Sequence, residues 1–262
     1  MSKISQKEIK LFRSLAQAKF REKTKCFLIE GIKPVFEALK SDYSIDRILC
    51  SKDISAGNMN KIARLANDRN INVIEVEHFE IDRISTHKNP EGILGVGKIR
   101  DVEPDEISYV NLPGLYFWKI NDPGNMGTIF RTALWFGVKQ IFLSPGSVDH
   151  YNPKVVRASM GALFHLQVFP GVSVDRLTKI AGSSNAKIIC ADISGSPVIS
   201  GDYEDDYVLV FGSESHGLPE QLLQIADETL KIGKRGYGES LNLGVSVGIL
   251  LGRLGEERQE KH

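Results

Sequence analysis

Apolar residues recur along this chain in two rhythms, one helical and one strand-like, and their alternation predicts the fold class. In SQKEIKLFRSLAQAKF, residues 5–20, Ile9, Phe12, Leu15 and Ala16 stand at helical spacing behind a Ser5/Glu8 capping box, so an amphipathic, basic helix is expected to open the chain. A short apolar strand, FLIEG, stops at Gly31, and KPVFEALKS follows as a helix with Pro34 in its first turn. RILCS (strand), NKIARLANDRN (helix) and INVIEVE (strand) continue the alternation, which predicts a small α/β sandwich over roughly the first hundred residues. The acidic run DVEPDEIS, with Pro104, breaks the pattern and reads as a linker, so the domains are placed at 1–104 and 105–262.

Beyond the linker the alternation restarts with LYFWKI (strand), GTIFRTALWFG (helix), KQIFLSP (strand), KVVRASMGALF (helix), LQVFPG (strand) and VDRLTKIAGSS (helix). AKIICADIS, YVLVFGSE, PEQLLQIA, ETLKIG and ESLNLGVSVGILLGRL complete this second domain. Buried strands followed by glycine-bearing turns predict an open, mostly parallel α/β sheet, in which ligands bind at the carboxyl ends of the strands.

Composition narrows the picture only in places. With 262 residues, 42% of them hydrophobic, the chain can build two modest cores. A net charge of zero argues neither for nor against a nucleic-acid partner. The first 25 residues, however, hold eight basic side chains (Lys3, Lys7, Lys10, Arg13, Lys19, Arg21, Lys23 and Lys25) against Glu8 and Glu22. Such an end can meet phosphate, or be a solvated helix face. Cys26, Cys50 and Cys190 stand far apart in apolar surroundings, which offers neither a disulfide framework nor a zinc site. The six histidines show no paired ligand spacing, so no metal is expected, and His165 reads as half-buried. MSKISQKEIK lacks the apolar run of a secretion signal and no segment reaches the ~18 apolar residues of a membrane span, so a cytoplasmic protein without a membrane partner is expected.

Three polar, glycine-bearing segments interrupt the apolar sequence of the second domain. Asn121-Asp122-Pro123-Gly124-Asn125-Met126-Gly127-Thr128 is good turn and cap chemistry leading into a helix with Arg131. An arginine among Ile129, Phe130, Ala133, Leu134 and Trp135 faces either an acidic partner or an anionic ligand. Whether it meets Asn125, six residues earlier, depends on the loop. Gly212-Ser213-Glu214-Ser215-His216-Gly217 follows the strand YVLV, with two glycines that permit close backbone approach and a carboxylate at the strand end. Gly236-Tyr237-Gly238-Glu239-Ser240-Leu241-Asn242 opens the final apolar helix, where Ser240 and Asn242 are plausible caps or hydroxyl- and phosphate-orienting groups. Neither GxxxxGK[ST] nor GxGxxG occurs: Gly95-Val96-Gly97 and Gly236-Tyr237-Gly238 lack the third glycine, which excludes the usual nucleotide-phosphate loops.

Taken together and in order, NDPGNMGTIFRTALWFGV, YVLVFGSESHGL and ESLNLGVSVGILL resemble the three signature motifs of the SpoU (TrmH-like) branch of SPOUT methyltransferases. NPKVVRASMGALFHLQVF, residues 152–169, is similar to the segment those enzymes carry between the first two motifs. KEIKLFRSLAQAKFREKTKCFLIEGIKPVFEAL resembles the accessory RNA-binding domain of ribosomal-RNA members, a small sandwich related to kink-turn-binding ribosomal proteins.

The resemblance implies an α/β domain with a deep trefoil knot, a homodimer, and methyl transfer from S-adenosyl-L-methionine to a ribose 2′-hydroxyl, in ribosomal RNA first of all. A transfer-RNA ribose methyltransferase, or a non-catalytic RNA-binding protein of the same fold, are the alternatives. Carried over residue by residue, the backbone of Gly212, Ile232 and Leu241 holds the cofactor. Arg131 is the principal catalytic residue, with Asn125, Glu214, Ser240 and Asn242 around it. Arg157 is a candidate substrate-phosphate ligand, and Lys10, Arg13, Lys19 and Arg21 are candidate RNA contacts. A guanidinium with pKa above ~12 is a poor base, so the expectation is that Arg131 binds the target phosphate and polarises the hydroxyl. Many members have Ile-Pro-Met before the third motif, whereas this chain has Ile232-Gly233-Lys234-Arg235, a more flexible stretch with two cations near the expected cofactor pocket.

Overall fold

The structure, a computed structural model, describes residues 4–100, 112–198 and 206–255. The chain divides into two compact units: Met1–Asp101 with Asp149–His165, and Val102–Val148 with Leu166–His262. The linker at DVEPDEIS and the boundary near residue 104 lie outside the described residues.

The first unit opens with α1 (Gln6–Ser14), whose Ser5/Glu8 capping box forms as the sequence indicates. Its apolar stripe, Ile9, Phe12 and Leu15, is buried in a core with Leu28, Leu49, Ile74 and Leu94. The expected single helix over 5–20 is corrected to two. α1 stops at Ser14, Gln17 is extended, and α2 (Ala18–Thr24) starts afresh. At the break the Arg21 guanidinium folds back and takes the carbonyls of Leu15 and Ala16 at 2.8 and 3.0 Å, satisfying groups that a helix end leaves open.

The alternation continues with β1 (Cys26–Glu30), α3 (Ile32–Lys40), β2 (Ile45–Ser51), α4 (Ala56–Asn67), β3 (Asn72–Val76), α5 (His78–Ile84) and β4 (Ile93–Lys98). The sheet order is β1-β4-β2-β3, with β4 antiparallel to both neighbours and β2 parallel to β3. Sequence patterning passes over α5 and β4. In β4 two glycines replace the apolar side chains that mark a strand, because neighbours occupy their space: a Cβ on Gly97 would lie 2.7 Å from the Phe27 ring, and one on Gly95 3.3 Å from Ile29 Cβ.

The second unit is a six-stranded, wholly parallel sheet. β5 (Gly114–Phe117), α6 (Pro123–Trp135) and β6 (Gln140–Leu143) come first. The chain then contributes α7 (Pro153–Ala158) and a 3-10 turn, Ala162–His165, to the first unit. It returns as β7 (Gln167–Phe169), α8 (Val174–Ser183), β8 (Lys187–Pro197), β9 (Tyr207–Phe211), α9 (Glu220–Gln224), β10 (Glu228–Lys231) and α10 (Leu243–Leu254). The continuous helix expected for KVVRASMGALF is broken by a left-handed pair, Met160 and Gly161 (φ +50° and +93°). A Cβ at Gly161 would lie 2.4 Å from the Glu37 side chain, so glycine is needed there for room as well as for φ.

The strand order β10-β8-β9-β5-β6-β7 reverses direction next to β5. β6 and β7 build outward on one side of it, and β9, β8 and β10 on the other. One sheet face packs Tyr116, Phe142, Val208 and Val210 against Leu177, Ile180 and Leu222, while α6 and α10 pack on each other. Cys50 and Cys190 are buried free thiols whose burial pushes their pKa up to about 12, as core residues rather than reactive ones. Among the described residues no helix is long and apolar enough to cross a membrane.

Candidate active site

The reversal in strand order fixes where a ligand can enter. Diverging connections leave a crevice at the carboxyl ends of the two central strands, here β5 and β9. The loop after β5 begins the first glycine-bearing segment, and the loop after β9 is the second.

Asp122 caps α6: its Oδ1 accepts the Asn125 backbone N–H at 2.7 Å, with Pro123 in the first turn. That cap fixes Asn125 as the third residue of the helix, with its side chain free to reach outward. Its Nδ2 donates to Glu214 Oε1 at 3.0 Å, and its Oδ1 accepts from Asn242 Nδ2 at 2.8 Å. Asn242 in turn caps α10, its Oδ1 accepting from Gly244 N–H at 2.9 Å. One chain of side-chain hydrogen bonds, Glu214 to Asn125 to Asn242, therefore ties together the three segments that the sequence offered separately.

The second loop is a tight turn closed by a backbone bridge, Ser213 N–H to Gly217 C=O at 3.2 Å and the reverse bond at 3.0 Å. A Cβ on Gly212 would lie 2.2 Å from Gly217, so this glycine is required by the loop's own closure. Beside the loop opens a cavity of about 440 Å³, lined by residues 191–193, 211–213, 217, 230–241, 243, 246 and 250. Its size falls in the ~300–1,000 Å³ range of small-molecule sites.

The expected residues divide clearly. Gly212, Ile232, Ser240 and Leu241 line the cavity, and Asn125, Glu214 and Asn242 form the hydrogen-bonded chain. Arg131 does not join it. Six residues along α6 from Asn125 amount to roughly 9 Å of rise and about 240° of rotation, so the two side chains leave different faces of the helix. Its guanidinium is exposed, and no described residue holds it. Arg157, in the first unit, is half-buried, with Nη1 3.4 Å from Thr86 Oγ1 and 3.9 Å from Glu30 Oε2. Lys10, Arg13 and Lys19 are exposed.

Arg21 is a correction. It is 2% exposed, its Nε and Nη2 bind Asp149 Oδ2 at 2.8 and 2.5 Å, and its Nη1 takes the two carbonyls described above. Four of its five N–H donors are taken inside the protein and the side chain is out of reach of solvent, so the residue belongs to the core of the first unit rather than to an RNA-binding surface.

Sequence reasoning missed Asp192 and Ile193, at the cavity wall on β8, and Ser246 and Leu250 on α10. The position of Asp192 and Ile193 in the outer half of a long apolar strand was the available signal. It also missed the register of glycines on α10. Gly244, Gly248 and Gly252, four residues apart, face Thr128, Thr132 and Phe136 on α6, also four apart. That ladder seats α10, and with it Asn242, against α6.

The family model described as the SpoU rRNA Methylase family matches residues 114–252, which span every element of this site. The chain belongs to the SpoU rRNA methylase family. Residues 6–95 match a second model, the MRM3-like substrate binding domain. This SpoU protein is 27% identical over 246 residues to the 23S rRNA (guanosine(2553)-2′-O)-methyltransferase RlmP of Bacillus subtilis, covering 93% of this chain and 94% of that one. It is 29% identical to the mitochondrial rRNA methyltransferase 3A of Danio rerio, over 88% of this chain and 64% of that protein. An rRNA methyltransferase from Sinorhizobium meliloti, solved with AdoMet bound, superposes with a TM-score of 0.82 at 26% identity, covering 96% of this chain and 95% of the other.

Proposed function

We propose that this SpoU protein transfers a methyl group from S-adenosyl-L-methionine to a ribose 2′-hydroxyl of ribosomal RNA. The observation that carries this reading is the Glu214–Asn125–Asn242 chain, which joins three loops beside a cavity at the carboxyl ends of β8, β9 and β10. The cavity fits the cofactor. Its volume suits a small molecule, its wall offers apolar Phe211, Leu230 and Leu250, and Gly212, Ile232 and Leu241 line it. Bound there, the cofactor supplies an electrophilic sulfonium methyl.

The chain's own residues have positioning work to do, and positioning can supply much of the rate of such a transfer. Asn125, Glu214 and Asn242 are rigidly linked, and Ser240 stands in the cavity wall as a hydroxyl donor and acceptor. Arg131, unpaired in its own unit, suits a target phosphate, which its planar fork of donors can meet bidentately. Lys10, Arg13 and Lys19 serve RNA phosphates from the first unit, and Arg157 would do so by leaving Glu30 and Thr86. A homodimer, the trefoil knot of the family and a cytoplasmic location complete the reading. The free face of Arg131 and Trp135 on α6 supports the homodimer as a surface on which a second copy can complete the site.

The test is a map of 2′-O-methylated positions in ribosomal and transfer RNA from cells with and without the protein. Loss of one ribosomal-RNA 2′-O-methyl group is expected. A transfer-RNA change instead would move the substrate class, and an unchanged profile in both would reject the enzyme reading.

A further inference from the structure

The lining of the cavity carries a feature that folding leaves unused. Between Ile232 and Ser240 the chain forms a small closed strap. Lys234 Nζ donates to the Gly238 carbonyl at 2.5 Å, and Gly238 holds φ +133°, a conformation side chains resist. At the strap's apex, between two glycines, Tyr237 is fully exposed. A large ring held in water on a hydrogen-bonded loop gains nothing for folding. Beside it, the Arg235 guanidinium is exposed and unpaired among the described residues. Lys231, Lys234 and Arg235 give the lining three cations against the two carboxylates of Asp192 and Glu239.

We propose that the strap 234–238 is a docking platform for an unpaired base of the RNA substrate, with Tyr237 stacking on that base and Arg235 meeting an adjoining phosphate. This rests on the RNA-methyltransferase reading above. Unpaired bases are recognised by stacking on aromatic faces and guanidinium planes, and a ring with cations beside it is the arrangement that tracks single-stranded RNA. A ribose whose 2′-hydroxyl reaches the cavity brings its own base, or a neighbour's, to this opening. Two glycines let the ring turn to meet it, while the Lys234 tie keeps the strap from folding away.

The experiment compares wild type with Tyr237→Ala, Tyr237→Phe and Arg235→Gln. Transfer of tritiated methyl to unmodified transcripts of large- and small-subunit ribosomal RNA is followed, alongside S-adenosylmethionine affinity by calorimetry and mass by light scattering. Tyr237→Ala is expected to raise the KM for RNA roughly 5- to 160-fold, the range of one lost base stack. Cofactor Kd and mass should stay within twofold. Tyr237→Phe, which keeps the ring, should restore the KM, and Arg235→Gln should raise it and flatten its salt dependence. An unchanged KM in Tyr237→Ala overturns the proposal. So does a cofactor Kd that weakens in parallel, which would make Tyr237 part of the cofactor pocket, or a fall in mass, which would make it a subunit contact. No incorporation by the wild type on either transcript rejects the function reading itself, and this proposal with it.

Discussion

Asn242 does two jobs with one amide, and substitutions can separate them. Its Oδ1 accepts from Gly244 N–H at 2.9 Å and Val245 N–H at 3.4 Å, capping α10, while its Nδ2 donates to Asn125 Oδ1 at 2.8 Å. Asn242→Asp keeps an acceptor for the cap and loses the donor. Asn242→Ala loses both. The alanine variant should therefore be destabilised by about 1 kcal/mol, and the aspartate variant hardly at all. Methyl transfer should fall at least tenfold in both, because Asn125 is no longer held from two sides. Thermal melts beside methyl incorporation check this, and wild-type turnover in Asn242→Asp would show that the Asn125 bond is dispensable. Each of these residues stands out in the sequence as a polar interruption. Their mutual bonds do not, since the partners lie 89 and 117 positions apart and nothing local records the pairing.

At the scale of elements, legibility follows the source of the signal. Where a local rule decides, as in the Ser5/Glu8 box, Pro34 at the start of α3 or Asp122 before α6, the sequence locates the element. Where a distant group decides, it does not: Glu37 excludes a side chain at Gly161, and Phe27 and Ile29 crowd Gly97 and Gly95 in β4. The glycine ladder of α10 is intermediate, because its four-residue period is visible in GVSVGILLG but its partner helix is not. Its rungs should respond unequally. A Cβ at Gly248 would sit 3.6 Å from Thr132 Cγ2, an ordinary contact, so Gly248→Ala should hold or gain up to about 1 kcal/mol from helix propensity. At Gly244 the same atom would lie 3.0 Å from Thr128 Cγ2 and 3.3 Å from Asn242 Oδ1, so Gly244→Val should push α10 outward and unseat the cap. A lower melting temperature and weakened activity are expected for Gly244→Val only. Equal melting temperatures for the two variants would mean that the α6–α10 contact is softer than the ladder implies.

At the scale of the whole chain, the sequence supports a parallel α/β domain behind a smaller sandwich, but it cannot show that residues 149–165 belong to the first unit. That membership rests on contacts with no local trace. Arg21 binds Asp149 across 128 positions, the Phe27 ring lies 4.5 Å from Tyr151, and the Tyr43 and Tyr151 hydroxyls meet at 2.5 Å. His150 sits buried in the middle, its ring 4.0 Å from Tyr151. Burial lowers its pKa to about 4, further than the neighbouring Asp149 carboxylate can raise it, while Arg21 also disfavours the charged form. The folded histidine thus stays neutral where the unfolded one, titrating near ~6.5, takes up a proton. Between those values the unfolded state binds more protons, so stability rises with pH across the window and is lost as pH falls through it. Hydrogen-bonded carboxylates such as Glu8 and Glu37, whose pKa values are lowered, lose their share as pH falls from the ordinary carboxylate range, below most of the histidine's window. Moving from pH 7 to pH 5 should cost the first unit about 2 kcal/mol, read as a lower urea midpoint. His150→Gln, uncharged throughout, should be less stable at pH 7 but should lose most of that slope. A slope that survives in the variant would place the acid sensitivity elsewhere in the molecule.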